Sequence, residues 1–407
     1  MAIPTVRWEN KGLSIGAVEN LARPCILGPD TSRGVMPWQQ PPENSLAALV
    51  HGMQVSDGVE LDLRLSADGE LVAFHDTMTS DGRYPECEDS SSMPNHVCTF
   101  DEMLAEPGFT EPWLEGSRFA CIELKTPHPS SGKTGWVMSG EARTEHMRKM
   151  IELVDEALEP LDIGQSSTVV YSFEPKLLKA AKRAGSNLRF ARLVPYLRPW
   201  GSSSVKRIFA TPYFIALSLP RLMRLQRNVG APMLPAALHY LDGTKRHLTI
   251  GTTVGLHGRQ LTNLTRKRKG FPVFVWPAKP RVERALLDAG LTAISDELSP
   301  EVTTLPTGEA RWLRPATQPL NPEHQNKLDS AETEHHASVI AELKSEVAPW
   351  VELSDSEKRE FLEDWRKKWL WERDFETLMA ESSESSMPWE VSRIIGHRGA
   401  GRTYGTG

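Results

Sequence analysis

Short apolar runs of strand length alternate, along most of this chain, with segments whose apolar residues recur at spacings of three and four. Such alternation is typical of repeated βα units built around a parallel sheet. The runs predicted as strands are 58–64, 71–75, 119–125, 168–173, 188–193, 236–240, 271–276 and 291–295. Segments of helical period follow several of them, as at 45–53, 175–184 and 281–289. This count favours a closed (β/α)8 barrel, and a doubly wound open sheet is the alternative because periodicity does not report closure.

The pattern changes after the last of these strands. Residues 300–330 are rich in Pro, Thr, Asn and Gln, which predicts a linker, and helical periods return at 331–347 and 354–380. The second helix begins with a capping-box pattern and carries an aromatic face, which we expect to pack against the barrel. We therefore predict three regions, with the barrel in 1–303, a linker and helical extension in 304–390, and a terminal strand in 391–407.

One apolar stretch, residues 207–225, carries arginines at its ends and two interrupting prolines. It is too short and too interrupted to span a bilayer, so it predicts a buried outer helix with a loop. A lid, or a segment that makes weak contact with a membrane surface, is the alternative interpretation.

The composition is that of an ordinary globular protein. Of 407 residues, 39% are hydrophobic and 25% are charged, and the net charge of -6 argues against a nucleic-acid partner. The first residues lack an apolar leader-like run, so we expect a cytoplasmic protein. The four cysteines show no spacing typical of a zinc site.

Carboxylates recur at alternate positions of two predicted strands. Glu60 and Asp62 are two residues apart and therefore share one face of their strand, as do Glu123 and Lys125 on the next. Buried carboxylates must be paired or must bind a cation, and oxygen ligands suit one divalent ion such as Mg²⁺ or Ca²⁺. A set of salt bridges, for example between Glu123 and Lys125, is the alternative.

Two histidines lie at the ends of apolar runs, near opposite ends of the chain. His75 closes one strand-like run, and His397 follows another, directly before Arg398 and Gly399. Imidazoles exchange protons near neutral pH, and a guanidinium can bind a phosphate through two hydrogen bonds. The Pro42–Ser45 segment marks a helix start, where free N–H groups favour an anion, although plain helix capping explains Asn44 and Ser45 equally well.

Together these segments resemble the glycerophosphodiester phosphodiesterase family. The matching motifs are GHRGAG (396–401), PENSLAA (42–48), the segment 57–76 with its ELD and HD pairs, IELK (122–125), VVYSFEP (169–175) and VFVWPAK (273–279). The resemblance covers roughly residues 41–302 and 393–401. It implies a TIM barrel that hydrolyses a glycerophosphodiester to glycerol 3-phosphate and an alcohol.

The resemblance also implies roles for individual residues. Glu60, Asp62 and Glu123 match the metal ligands, and His397 and His75 match the paired general base and acid, in either order. The expected substrate and phosphate contacts are Arg398, Lys125, Glu43, Asn44 and Trp276. The sequence VWPAK departs from the family pattern, with Lys279 where asparagine is common, which changes the expected polarity of the pocket.

The order of the motifs departs from that of the family, because the HRG strand comes last here instead of first. Circular permutation would explain the order, with the terminal strand completing the barrel and the extension carrying the chain back to it. The alternative is that Cys25–Gly34 forms the first strand without its histidine, which would leave a catalytically silent barrel that only binds. A hydrolase of single-chain lipids, similar to a lysophospholipase D, is a third hypothesis because of the apolar segment 207–225.

Overall fold

The computed structural model describes residues 38–133, 140–164, 166–194, 216–241, 254–382 and 385–402, together with residues 205, 208, 211 and 212. Every helix and strand given below lies in one compact unit, Gln40–Gly407. The segment Cys25–Gly34, the alternative first strand, lies outside the described residues.

Eight parallel strands form the barrel, and a ninth short strand is antiparallel. The parallel strands are β1 (Gly58–Leu65), β3 (Phe119–Leu124), β4 (Thr168–Ser172), β5 (Phe190–Arg192), β6 (Leu234–Ala237), β7 (Val273–Ala278), β8 (Thr292–Ser295) and β9 (Ile394–Gly396), and the antiparallel strand is β2 (Leu71–Ala73). The spatial order is β5-β4-β3-β1-β9-β8-β7-β6. A parallel bridge from Val194 to Ala236 connects the end of β5 to β6 and closes the ring. The predicted (β/α)8 barrel is confirmed, and the open sheet is not formed.

The helices alternate with these strands and cover the barrel. They are α1 (Leu46–Val55), α2 (Phe100–Leu104), α3 (Pro107–Leu114), α4 (Gly140–Leu158), α5 (Leu177–Ala184), α6 (Leu219–Asn228), α7 (Gly258–Arg268) and α8 (Pro280–Asp288). Their apolar sides pack on the outward residues of the strands. In β1, for example, Val59, Leu61 and Leu63 are buried among helix residues such as Leu49 and Met53. The inward residues of β1 are thereby left to line the interior of the barrel.

The segment 71–75 was predicted as a barrel strand, and this prediction is wrong. Leu71–Ala73 instead pairs antiparallel with the end of β1, through Leu65 and Leu71 at the turn. Only five residues separate the two strands, whereas a parallel connection needs a crossover of about a dozen or more. A parallel arrangement was therefore excluded by the length of the connection.

The terminal strand β9 is one of the strands of the barrel wall, between β1 and β8. It pairs in parallel with β8 over Ile394–Gly396 and with β1 through Val59 and Gly396. The buried Asp57 holds the start of this strand, because its Oδ2 accepts a hydrogen bond from the Ile394 N–H at 2.8 Å. The expectation that the C-terminal HRG strand completes the barrel is confirmed, and circular permutation stays our interpretation of how this order arose.

The helical extension consists of α9 (Pro322–Ser330), α10 (His336–Glu346), α11 (Asp355–Trp369) and α12 (Phe375–Glu381). The predicted capping box is present, with Ser354 and Glu357 bonded reciprocally. The single helix predicted over 354–380 is two helices, because Leu370 adopts a left-handed conformation after α11 and Asp374 caps α12. The predicted linker 300–330 is not free of structure, since it contains α9. The division of the chain into three regions stays a prediction.

The aromatic face of α11 is partly buried, and Trp369 lies against Gly290, just before β8, which agrees with the expected packing on the barrel. Trp369 and Leu362 share a cluster with Trp350 and with Val391, which lies just before β9. The extension therefore supports the segment that leads into the terminal strand.

The apolar stretch 207–225 is described mainly through α6, since most of residues 207–215 lie outside the described part. Among the described residues, none of the helices combines the length and the hydrophobicity that a membrane crossing needs. The buried side of α6 includes Leu219, Leu222 and Met223, which agrees with an outer helix packed on the barrel.

Candidate active site

Three carboxylates from β1 and β3 converge inside the barrel. Glu60 and Asp62 point inward from β1, and Glu123 lies beside Asp62 in the register of β3. All three are buried, at 2%, 1% and 6% exposure, and one ligand oxygen from each lies within 4.8 Å of the others. The alternation predicted from the sequence thus brings the three acids to a common point.

The charges in this cluster are incompletely compensated. Burial, followed by repulsion from Asp62 and Glu123, raises the pKa of Glu60 well above its usual value. Burial likewise raises the pKa of Glu123 to about 7, against the attraction of Lys125. Two carboxyl groups therefore resist ionisation in the absence of further positive charge.

Lys125 bridges two of the acids. Its Nζ lies 2.7 Å from Asp62 Oδ1 and 2.6 Å from Glu123 Oε1. Although burial raises it, the pKa of Asp62 is lowered on balance, because Lys125, His75 and Arg398 stabilise the carboxylate. The predicted salt bridge between Glu123 and Lys125 is thus present alongside the carboxylate cluster, so the two interpretations coexist.

Asn44 fixes the orientation of Asp62. Its Nδ2 donates to Asp62 Oδ2 at 2.9 Å, and its Oδ1 accepts from the Asp62 N–H at 3.0 Å. The helix cap of α1 is Ser45, whose hydroxyl accepts from the Ala48 N–H. Capping is therefore the role of Ser45, whereas Asn44 is bonded to the acidic cluster.

The C-terminal segment reaches the same cluster through its backbone. The Arg398 N–H donates to Glu60 Oε2 at 2.9 Å, and the Gly399 N–H donates to the Glu60 carbonyl at 3.1 Å. Gly399 has a φ of +89°, and a Cβ placed there would lie 2.5 Å from the carbonyl carbon of Ala48. A side chain at this position would therefore push the segment away from α1.

The side chain of Arg398 lies between carboxylates. Its Nη1 donates to Glu43 Oε1 at 2.6 Å, and its Nε lies 3.6 Å from Asp62 Oδ2. Although burial opposes its charge, the nearby acids raise the pKa of Arg398 on balance. The guanidinium is consequently charged and held close to the acidic cluster.

His397 forms a pair with Asp296, which was not among the predicted site residues. Its Nδ1 lies 2.5 Å from Asp296 Oδ1, and its Nε2 lies 3.7 Å from Glu60 Oε2. Asp296 directly follows β8, and a polar residue at the C-terminal end of a barrel strand was the available signal. This pairing orients the imidazole so that Nε2 faces the cluster.

His75 reaches the mouth of the barrel from the loop after β2, so its predicted place at the end of a barrel strand is wrong. Its Nδ1 lies 2.8 Å from Asp76 Oδ1, and its ligand nitrogen lies within 4.8 Å of a Glu43 oxygen. Burial, and then the positive charges of Lys125 and Arg398, lower the pKa of His75 well below its usual value. Glu43 therefore lies between His75 and Arg398, since it is close to the imidazole and accepts a hydrogen bond from the guanidinium.

Two further residues hold the His75 loop, and neither was among the predicted site residues. Arg64 donates from Nη2 to the His75 carbonyl at 3.0 Å, and its Nη1 lies 3.7 Å from Glu86 Oε2. Glu86 also accepts from the His128 N–H at 2.6 Å. Arg64 lies two residues after Asp62 in β1, so the same alternation in the sequence that predicts inward positions for Glu60 and Asp62 also predicts one for Arg64.

Trp276 lies in β7, half-buried and in an edge-to-face contact with Phe173, with ring centroids 5.7 Å apart. Its Nε1 is buried and has no hydrogen-bond partner in the described protein. The described contacts do not connect Trp276 to the acidic cluster, so its role in lining the pocket stays a prediction.

The donor set fits a hard divalent cation. Glu60, Asp62 and Glu123 offer carboxylate oxygens at metal-ligand spacing, and the raised pKa values of Glu60 and Glu123 indicate that added positive charge would be favourable there. The groups around the cluster combine this capacity with two histidines, a lysine and an arginine, which suits chemistry on an anionic ester.

Comparisons with known proteins agree with this chemistry over part of the chain. Residues 36–83 match the model of the glycerophosphoryl diester phosphodiesterase family. A comparison with curated proteins found no match.

Solved structures give only weak overlaps. They include a glycerophosphodiester phosphodiesterase from Thermotoga maritima (16% identity, 60% of this chain and 84% of that chain, TM-score 0.38). A phosphodiesterase from Oleispira antarctica, in complex with the product sn-glycerol-3-phosphate, gives 17% identity, 63% and 88% coverage and a TM-score of 0.40. Overlaps at such TM-scores add no argument to the topology described above. It is the family model, matched over the segment that carries Glu43, Glu60, Asp62 and His75, that confirms the resemblance of this chain to the glycerophosphodiester phosphodiesterases.

Proposed function

We propose that this protein hydrolyses glycerophosphodiesters to glycerol 3-phosphate and an alcohol, with one divalent cation and a pair of histidines. One observation carries the proposal: the last strand of the chain brings His397 and Arg398 to the carboxylates of β1. There the Arg398 N–H donates a hydrogen bond to Glu60 Oε2 at 2.9 Å. The family match over residues 36–83 supports the same substrate class.

The cation would be held by Glu60, Asp62 and Glu123. Mg²⁺ and Ca²⁺ both accept such oxygen ligands, and either ion would supply charge that polarises the phosphoryl oxygens of the bound ester. Asn44 keeps Asp62 in position for this role through its two hydrogen bonds.

Arg398 and Lys125 would bind the phosphate, since both lie beside the acidic cluster. Both cations contact carboxylates, with Arg398 on Glu43 and Lys125 on Asp62 and Glu123. An incoming phosphodiester anion would share these cations with the acids, and positive charge fixed in place favours a transition state that gains negative charge.

The two histidines would move the protons. His397, oriented by Asp296, would take the proton from the attacking hydroxyl at Nε2. If this hydroxyl belongs to water, its attack would release glycerol 3-phosphate directly. If it belongs to the glycerol of the substrate, the alcohol would leave first, and water would then open the resulting cyclic phosphate to glycerol 3-phosphate. His75, paired with Asp76, would protonate the departing alkoxide. Burial, Lys125 and Arg398 lower the pKa of His75, and a bound phosphodiester anion would offset these positive charges and favour the protonated imidazole.

Glycerol 3-phosphate release from glycerophosphocholine in the presence of Mg²⁺ or Ca²⁺ tests the proposal. The wild type should be active, and His75→Ala should lose about 100-fold or more of kcat. The matched control is His96→Ala, an exposed histidine in the same loop region, which should keep full activity.

Wild-type activity of His75→Ala would contradict the acid–base assignment. Faster turnover of a lysophospholipid than of glycerophosphocholine by the wild type would favour the single-chain lipid hydrolase instead. Absence of both activities from a folded, cation-bound protein would favour the catalytically silent barrel.

A further inference from the structure

One sector of this acidic protein contains basic residues and no acidic ones. The whole chain has 47 Lys and Arg against 53 Asp and Glu. Residues 216–241 and 254–282, which include α6 and α7, contain no Asp or Glu. Their basic residues are Arg221, Arg224, Arg227, Arg259, Arg266, Lys267, Arg268, Lys269, Lys279 and Arg281.

Most of the exposed basic residues lie near the ends of three helices. We use the name basic end for the surface formed by the end of α6, the end of α7 and the end of α11. It comprises Arg224, Leu225, Arg227, Val229, Arg266, Lys267, Lys269, Lys367, Lys368 and Leu370, all of which are exposed.

Direct contacts join the three parts of the basic end. The Arg227 guanidinium lies 4.8 Å from the centre of the Phe271 ring and donates to the Arg268 carbonyl, which connects α6 with α7. Lys269 Nζ lies 2.6 Å from Glu372 Oε1, just after α11, and this exposed acid offsets one of the cations of the basic end. The basic end is therefore one continuous surface and not three separate runs of charge.

Apolar side chains protrude among these cations. Leu225, Val229 and Leu370 are 48%, 49% and 54% exposed, and they are three of the five large hydrophobic side chains that are exposed in the described part of the chain. The burial of such apolar side chains away from water is favourable. Because basic residues surround them, the expected partner is anionic and also offers an apolar interior.

The basic end lies opposite the acidic cluster. Val229 and Lys269 precede β6 and β7, so they lie at the N-terminal ends of the barrel strands. Asp296 and His397, by contrast, follow the C-terminal ends of β8 and β9. Because all these strands are parallel, the two surfaces occupy opposite ends of the barrel.

We propose that the basic end docks the protein onto an anionic phospholipid bilayer. The cations would contact the headgroups while Leu225, Val229 and Leu370 enter the interfacial region. A nucleic acid would satisfy the charges but would leave the three apolar side chains in water. In combination with the proposed function, this orientation points the mouth of the barrel away from the bilayer, towards a water-soluble glycerophosphodiester.

Cosedimentation of the full-length protein with vesicles tests the docking. Binding is expected to vesicles of phosphatidylcholine mixed with phosphatidylglycerol, to be weak on phosphatidylcholine alone, and to fall with added salt. The double variant Arg266→Glu/Lys267→Glu should bind about tenfold or more weakly, since each basic residue near such a surface contributes to the attraction.

The matched control is Lys149→Glu/Lys179→Glu, which makes the same change of charge at exposed positions of α4 and α5. This control should keep most of the binding. The variant Leu225→Ser/Leu370→Ser should bind more weakly than wild type at unchanged net charge, which separates insertion from simple attraction.

Equal losses of binding in the two charge-reversal variants would overturn the proposal, and so would binding of duplex DNA as tight as that of the anionic vesicles. The Arg266→Glu/Lys267→Glu variant should retain wild-type release of glycerol 3-phosphate from soluble substrate. Because vesicle binding is measured without turnover, failure of the proposed activity would leave this test intact.

Discussion

A single buried carboxylate just before β1 and a cluster of three buried carboxylates further along the barrel differ in how their charge is compensated. Asp57, just before β1, accepts hydrogen bonds from the Ile394 N–H at 2.8 Å and from the N–H and hydroxyl of Thr317 at 2.8 and 2.5 Å. The cluster places Asp62 beside Glu123 and within reach of Glu60. Burial raises the pKa of Asp57 as well as those of Glu60 and Glu123.

The difference shows that burial and a raised pKa are not by themselves marks of function. Asp57 is surrounded by donors from two other segments of the chain, as a structural group requires. In the cluster, like charges face one another, and Lys125 and Arg398 offset them only in part. Such unbalanced charge indicates a site that is completed by a ligand.

The terminal strand connects Asp57 with the cluster. Its first residue, Ile394, is bonded to Asp57, and Arg398 is bonded to Glu60. Asp57 thus aligns the strand that brings His397 to the proposed metal ligands.

The largest expected effect is at the cluster. Replacing His397 with glutamine should lower kcat by about 100-fold to 10,000-fold, because the proposed general base is removed. The free energy of unfolding should change little, which urea titration can check. The matched control His96→Gln should show wild-type kcat, and an active His397→Gln variant would contradict the proposed role of the terminal strand.

Replacing Asp57 with alanine should lower the free energy of unfolding by about 3 kcal/mol, because three buried donors lose their acceptor. Urea unfolding measures this effect. Asp57→Asn keeps one acceptor oxygen and should recover part of the loss. A neutral Asp57→Ala variant would remove the distinction between Asp57 and the cluster.

Replacing Glu123 with glutamine should stabilise the metal-free protein, in contrast to the loss of stability expected for Asp57→Ala. At about pH 8, the free energy of unfolding should rise by on the order of 1 kcal/mol, because one buried, repelled charge is removed while Lys125 loses part of its pairing. Calorimetric titration should show weakened binding of Mg²⁺ or Ca²⁺. The exposed control Glu111→Gln should change neither quantity, and destabilisation by Glu123→Gln would contradict the proposed imbalance.

The smallest effect is a pH dependence of stability. Since the pKa of Glu123 is raised from 4.5 to about 7, the folded protein binds more protons than the unfolded one between these values. The contribution of Glu123 to metal-free stability should therefore fall as pH rises through this window, whereas the lowered pKa of His75 acts in the opposite direction below its usual value. Thermal unfolding with a chelator should show this as a stability gain of Glu123→Gln over wild type that grows between about pH 5 and 8, and a saturating divalent cation should remove the gain. A gain that stays constant or shrinks with rising pH would contradict the raised pKa of Glu123.

Much of the fold and half of the site were open to prediction from local patterns. The strands β1, β3, β4 and β8 lie where their apolar runs predicted them, and the inward acids follow from the alternation within β1 and β3. The bounds of β6 differ from the predicted 236–240, because they depend on pairing with β7. The antiparallel pairing of β2 was not predicted, because it depends on the short connection to β1.

The partners of the site residues were harder to predict. Asp296 meets His397 from 101 positions away, and Asp57 meets Ile394 from 337 positions away. Such contacts leave no periodic signal, since they arise only where distant strands are adjacent. Arg64 was closer to prediction, because it continues the inward alternation of β1.

The sequence by itself determined which side chains share a face, since the backbone geometry within a strand imposes a period of two on Glu60, Asp62 and Arg64. Only the tertiary structure decided that β9 lies between β1 and β8 and brings His397 and Arg398 to those acids. The physical reason is that strand pairing depends on the path of the whole chain and on donors such as the Ile394 N–H finding Asp57, which no local pattern encodes.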